Sequence, residues 1–240
     1  MTHLSLKFPA PHVPVARAER LPAMRADAPG GDRATDWLTT HFDRALRRRL
    51  PAGAQLFHEG AETAHLYVFL RGLAMKYKSL PDGRRQILDF VLPGEPLGFV
   101  VARPAPYAIE TLSDSEVAAI GRGAFDALIG SDPRFARALC RQFEDVGARA
   151  HERMTSISYR SARVRVCQLL AELVDRAEPN GAPDSVAMAM PLSQRHLADA
   201  TALRVETVCR MLTQLDEEGI ATLRRGQLRV PDMQALRDAC

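Results

Sequence analysis

The spacing of apolar residues changes character along the chain. Residues 1–34 show no sustained period and are rich in Pro, Ala and Arg, which predicts a disordered arm. A short helix is expected from about Thr35 to Leu50, with Arg47, Arg48 and Arg49 as favourable charge at its C-terminal end. From Pro51 to about Ile120 the apolar residues fall in short or alternating runs such as QLFHEG, HLYVFLRG, RRQILDFV and SEVAAI. Gly60, Gly72, Gly94, Gly98 and the PDG turn at 81–83 separate these runs. Many short strands at this spacing predict a β-sandwich or barrel.

Beyond GAFDALIGSDP the period lengthens. Phe135, Leu139, Phe143, Val146, Ala150, Met154 and Ile157 follow one another at steps of three or four, with no proline between them. That is the period of one long helix. Its apolar stripe is narrow and its other faces are charged, so a two-stranded dimer seam fits it better than a core position. Packing along its own β domain is the alternative. A second helix is expected over Ala162–Ala177, then an EPNGAPD loop and a short VAMAM strand.

The last segment carries the most specific pattern. PLSQRHLADA, with Ser193 placed as an N-cap, predicts a short helix. A brief turn leads to VETVCRMLTQLDEEG, which Gly219 ends. IATLRR, Gly226 and QLRV then read as two strands about a tight turn. Helix, turn, helix and hairpin make a winged helix-turn-helix, whose second helix enters the DNA major groove. Val208, Leu212 and Leu215 form its buried stripe, and Val205, Glu206, Cys209 and Arg210 fall on the opposite side. Arginine can donate two hydrogen bonds to guanine and glutamate can accept one from cytosine, so an i, i+4 pair can read one G·C pair. On spacing alone, an exposed ion pair explains Glu206 and Arg210 equally well.

Composition narrows the picture without deciding it. A chain of 240 residues, 46% hydrophobic, supports one or two domains with a sizeable core. The formal net charge is +3, and residues 191–240 hold seven arginines against seven acids. A case for DNA therefore rests on arrangement, not on bulk charge. The four cysteines, Cys140, Cys167, Cys209 and Cys240, make no CxxC pair and read as reduced thiols. No apolar run has the length of a signal peptide or a membrane span, so a soluble, cytoplasmic protein is expected. No phosphate loop, metal-ligand cluster or nucleophile motif is present, which argues against an enzyme.

The stretch PLSQRHLADATALRVETVCRMLTQLDEEGIATLRRGQLRV resembles the DNA-binding domain of the Crp/Fnr transcription regulators. FHEG…LYVFLRG, DGRRQILDFVLPGEPLGF and SEVAAI resemble that family's double-stranded β-roll, and the long helix resembles its dimerisation helix. The resemblance implies an α+β fold in four parts. These are an N-terminal arm over 1–34, a β-roll sensor of the cyclic-nucleotide-binding type over 35–130, a dimerisation helix over 131–160 and a winged helix-turn-helix over 161–240. It implies a homodimer on a palindromic operator, and RNA polymerase as a partner of an activator. Glu206 and Arg210 match the family's base-contacting Glu and Arg. Val205 matches a position that is Arg in cyclic-AMP receptors and Val or Ile in the Fnr and FixK branches. A short apolar side chain can touch a thymine methyl but cannot read guanine, so a TTGA-type half-site is expected in place of TGTGA. Cys209 stands where relatives often have Ser or Gly. Its oxidation would weaken DNA binding, which makes it a candidate redox switch. Ser193, Gln194, Arg204 and Thr207 are candidate phosphate contacts. Two departures stand out: the relatives' turn glycine is Ala202, and the Ser/Thr before the recognition helix is Arg204.

In the sensor, Gly98 is followed by Phe99 where nucleotide receptors have Glu, and Ala105-Pro106 stands where they have Arg-Ser. A cyclic phosphate would lose its charge-assisted bonds there, so no cyclic nucleotide is expected. Residues 1–139 hold no cysteine, which excludes the Fnr-type iron–sulfur cluster. No cofactor is expected. His58 and His65, with His3, His12 and His41, leave haem or another small effector as the alternative. A FixK- or NnrR-like regulator answering oxygen, redox or nitrogen-oxide status is what the resemblance implies.

Overall fold

A computed structural model of the chain describes residue 42 and residues 45–63, 65–98, 104–178 and 184–240. The expected arm and most of the expected first helix lie outside these residues. The last part of that helix is instead strand β1, Leu46–Leu50. It pairs antiparallel with β8, Ser115–Gly121, so that Arg47 faces Ala118 and Leu50 faces Ser115. The correction has a physical reason. SEVAAIG is a buried, apolar strand that offers a free edge beside β3, His65–Arg71, and LRRRL satisfies it. Arg47 is tied there to Glu116 at 3.5 Å, so its charge serves a strand pair and not a helix end.

The remaining strands of this part are β2 (Gln55–Phe57), β4 (Ala74–Ser79), β5 (Arg85–Val91), β6 (Pro96–Gly98) and β7 (Ala108–Thr111). They form two four-stranded sheets in the orders β1-β8-β3-β6 and β2-β7-β4-β5. Phe57, Tyr67, Phe69, Ile109 and Val117 pack between them. Alternating apolar residues create the two faces, and tight turns set the register. Gly83 closes the β4–β5 hairpin at φ 80, as the PDG pattern predicts.

Helix α1 (Arg122–Ser131) leads to the long helix α2 (Pro133–Tyr159). Asp132 caps α2, its Oδ1 accepting from the amides of Arg134 at 2.8 Å and Phe135 at 3.3 Å. The first two residues of the expected seam are taken up by their own chain. Phe135 and Leu139 pack against Leu66, Val68, Ala118 and Ile120 of the β part. From Phe143 onward the stripe leaves this surface. Phe143 is 48% exposed and Met154 63%, with Ala150 exposed and Val146 and Ile157 half-buried.

The C-terminal part contains α3 (Ala162–Ala177), β9 (Val186–Ala189), α4 (Gln194–Thr201), α5 (Val205–Glu217), β10 (Thr222–Arg224), β11 (Gln227–Val230) and α6 (Met233–Asp238). Its three strands form a sheet in the order β10-β11-β9. Its core is continuous with the outer face of the β5-containing sheet, because Met75, Tyr77, Ile87 and Phe90 pack in one cluster with Leu170, Leu197 and Leu215. Among the described residues, no helix is long and apolar enough to cross a membrane.

Candidate nucleic-acid interface

Helices α4 and α5 present the residues that the sequence singles out. Ser193 caps α4, its hydroxyl accepting from the His196 amide at 3.1 Å. His196 returns the bond, its Nδ1 accepting from the Ser193 amide at 3.2 Å. This is a capping box in which His takes the place of the usual Glu or Gln. Nδ1 can accept only while the ring is neutral there. Burial holds this imidazole below its ordinary pKa and Arg85 adds to that, while Asp199 and Glu110 pull the other way. The capping role had no sequence signal, because a histidine three residues after a serine is not a recognised capping pattern.

The turn between the helices passes through Ala202 at φ 53 and ψ 41, the left-handed conformation that glycine adopts without strain. The departure noted in the sequence is therefore a real conformational cost, held in place by packing of Thr201 and Leu203. Arg204 occupies the N-cap of α5 with extended backbone and no side-chain cap bond, which leaves its side chain exposed. Val208, Met211, Leu212 and Leu215 bury the inner face of α5.

On the outer face, Glu206 and Arg210 are exposed, and neither side chain is held by a hydrogen bond or ion pair among the described residues. Two uncompensated charges four residues apart, both pointing outward, are available to an external ligand. Ser193 and Gln194 are exposed beside them, and Thr207 is half-buried. Val205 and Cys209 are less free. Val205 packs in part against the core, and the Cys209 thiol donates to Gln194 Oε1 at 2.7 Å. That thiol ties the outer face of α5 to the start of α4.

Two ion pairs that the sequence did not single out fix α5 from behind. Arg163 grips Glu218 with both nitrogens, at 2.7 and 2.5 Å, and Arg224 of β10 pairs with Asp216. The β10–β11 turn has both Arg225 (φ 50) and Gly226 (φ 71) in the left-handed region, which is the two-residue hairpin geometry. The Met190 amide donates to the Gly226 carbonyl at 2.7 Å, so the turn is held near the start of α4. Leu192, Ser193, Gln194, Leu223 and Arg225 line a groove between them.

Elsewhere the sensor residues lie as follows. Ala105 is buried, its amide bonded to the Ala61 carbonyl and its carbonyl accepting from Gly60. The position that would hold a phosphate-binding arginine is thus part of the β core. Phe99 lies outside the described residues, as do His3, His12 and His41, while His58 and His65 are exposed. Cys167 is buried in the C-terminal core, where burial pushes its thiol up to about 11.

Comparison with known proteins agrees with this arrangement. Residues 47–132 match the cyclic nucleotide-binding domain family and residues 164–239 the Crp-like helix-turn-helix domain family. The chain is 32% identical over 193 residues to a "Probable transcriptional activator" of Rhizobium leguminosarum bv. viciae, covering 80% of each. It is 32% identical over 188 residues to the "Nitrogen fixation regulation protein FixK" of Azorhizobium caulinodans, covering 77% of this chain and 75% of that one. The solved structure of FixK2 from Bradyrhizobium japonicum superposes with a TM-score of 0.72 at 28% identity, covering 81% of this chain and 96% of that one. These relatives are transcription regulators, not enzymes. The chain belongs to the Crp/Fnr family of DNA-binding transcription regulators, with a β-roll of the cyclic-nucleotide-binding type and a Crp-like helix-turn-helix.

Proposed function

We propose that the protein is a cytoplasmic, homodimeric transcription activator that reads a TTGA-type inverted repeat through α5. The observation that carries this reading is the pair Glu206 and Arg210, exposed on the first turns of α5 and held by no hydrogen bond or ion pair among the described residues. Arg210 donates to guanine O6 and N7, and Glu206 accepts from the paired cytosine. Val205 touches a thymine methyl, and Cys209 lies beside it against the same base edges. Ser193, Gln194, Arg204 and Thr207 contact phosphates and fix the register.

The dimer reading rests on α2. Phe143, Val146, Ala150, Met154 and Ile157 leave an apolar stripe on its outer side. A second copy of the same helix covers such a stripe. The parts follow as an arm over 1–34, a sensor over 35–130, a dimer helix over 131–160 and a DNA-binding domain over 161–240. Activation is supported by the relative named a probable transcriptional activator, while contact with RNA polymerase and an oxygen, redox or nitrogen-oxide signal are what the resemblance to the Crp/Fnr regulators implies. Cys209 is the redox candidate. Oxidation of its sulfur would break its bond to Gln194 and add bulk, and in some forms charge, at the DNA face.

Two measurements test this. Sedimentation equilibrium of wild type and Met154→Glu should give a dimer and a weakened dimer. Operator binding before and after peroxide should show a loss that reductant restores and that Cys209→Ser abolishes. Equal binding by oxidised and reduced wild type rules out the Cys209 switch.

A further inference from the structure

Six charged side chains converge where the β-roll, the long helix and the DNA-binding domain meet. Asp89 of β5 is 5% exposed and faces three arginines. Arg176 of α3 is 3.0 Å from its carboxylate, and Arg149 and Arg153 of α2 are each 3.4 Å away. Glu95, in the loop after β5, pairs with Arg176 at 2.8 Å and with Arg149 at 3.6 Å. Glu172 of α3 closes the cluster, 3.0 Å from Arg153 and 2.7 Å from Arg176. Burial alone would raise the Asp89 carboxyl, but Arg176, Arg153, Arg149 and Lys76 outweigh it and hold the group below its usual range.

The backbone of β5 is shaped for this cluster. Lys76 pairs with Asp89 and Tyr77 with Ile87, so Leu88 is an extra residue, a bulge. A bulge frees a carbonyl from the ladder, and Arg153 Nη1 donates to the Leu88 carbonyl at 2.5 Å. Arg176 Nη2 donates to the Phe90 carbonyl at 2.6 Å. Farther along the same strand, Gln86 donates to the Asp199 carbonyl of α4 at 2.7 Å. One strand of the sensor thus grips the dimer helix, the first helix of the DNA-binding domain and the first helix of the helix-turn-helix. In this arrangement Glu206, Arg210, Ser193 and Gln194 all remain exposed. The docking therefore leaves the DNA face open instead of covering it.

We infer that this buried ion-pair junction positions α5 relative to the dimer helix and thereby sets the spacing between half-sites that the dimer accepts. Each of the six side chains has specific partners across the three elements, and buried ion pairs in some proteins specify one arrangement in this way. Asp89, Glu95, Arg149, Arg153, Glu172 and Arg176 are positioning residues and touch no DNA. The inference rests on the reading of α5 as the operator-binding helix.

The test measures operator affinity of the full chain against TTGAT and ATCAA half-sites separated by spacers of two, four and six base pairs. Each added pair of bases rotates one half-site by about 70° and shifts it by about 7 Å relative to the other. Wild type should prefer one spacer by at least about tenfold. Asp89→Asn should reduce that preference to less than about threefold, while Arg210→Ala still costs the same factor in the Asp89→Asn background. Leu50→Ala, which loosens the β-roll core on the edge strand β1 away from the junction, should keep the wild-type preference. Glu95→Gln and Arg149→Gln, the latter removing the longest contacts, read the same quantity where Asp89→Asn does not fold. Junction variants that fold and keep the wild-type spacing preference overturn the inference. Loss of all operator binding by wild type overturns the α5 reading beneath it, a different result.

Discussion

Replacing Arg210 by alanine separates two roles of a charged helix residue. A structural arginine has partners in its own chain, and its loss lowers stability. Arg210 is exposed and its guanidinium has no partner among the described residues. Its truncation should change stability by no more than about 0.5 kcal/mol, because nothing buried is left unpaired and alanine is a good helix former. For a chain of this size that is under about 2 °C in melting temperature. On DNA the same change removes a bidentate guanine contact worth about 1–3 kcal/mol per half-site. A dimer on a palindrome loses it twice, about 2–6 kcal/mol, or roughly 30-fold to beyond 10^4-fold in affinity. Glu206→Ala should behave alike on DNA but cost up to about 1 kcal/mol of stability, since a carboxylate in the first turn of α5 favours the helix dipole. The assay is a paired one: a thermal melt, and fluorescence anisotropy on the operator at fixed salt. A melting temperature lowered by 5 °C or more, with operator affinity within threefold of wild type, would refute the reasoning for Arg210.

Other substitutions test the scaffold. Leu215, fully buried on the inner face of α5, should cost about 2–5 kcal/mol as Leu215→Ala, seen as a melting temperature lowered by roughly 4–20 °C. Ala202→Gly should stabilise the protein by roughly 0.5–1 kcal/mol, because relief of about 1–2 kcal/mol at φ 53 exceeds glycine's extra freedom; a urea titration reads this. His196 has a folded pKa below its ordinary value, so its unfolded form takes up a proton first. The stability it contributes is complete above about pH 6.5 and declines as pH falls through that value, levelling off below the folded pKa. His196→Gln keeps a capping side chain that does not titrate and should flatten the pH 5–8 stability profile relative to wild type. Arg204→Ser should gain about 1 kcal/mol as a proper N-cap while making the salt dependence of DNA binding shallower by about 0.9 per lost phosphate contact.

Much of this fold was legible because each element carries its own period. The alternating runs became the two β-roll sheets, and PDG became the tight hairpin at Gly83. The helix over Ala162–Ala177 has the expected bounds, and α5 ends at Glu217, just before the expected stop at Gly219. LRRRL misled because a strand and the last turn of a helix both tolerate three arginines between leucines, and only the free edge of β8 decides. The stripe on α2 was visible as a stripe, but not that Phe135 and Leu139 face inward while Phe143 and Met154 face outward. That division depends on where the β-roll ends along the helix. Glu206 and Arg210 were readable as a pair, and their lack of partners among the described residues was not. The junction was invisible, since Asp89, Arg149 and Arg176 are separated by 60 and 87 residues from the carboxylate to its partners. His196 was missed for a chemical reason: its capping role needs a neutral ring, which burial supplies and sequence does not state.

The most direct test of the central claim is anisotropy binding of the untagged chain to a TTGAT-N4-ATCAA duplex, a TGTGA palindrome and a scrambled duplex, at one salt concentration. Val205 at the start of α5 offers a methyl contact to thymine and no donor to guanine. The account predicts tightest binding to the TTGA repeat, with the TGTGA palindrome weaker by at least about tenfold and the scrambled duplex weaker still. Tighter binding to TGTGA, or equal binding to all three, would contradict it.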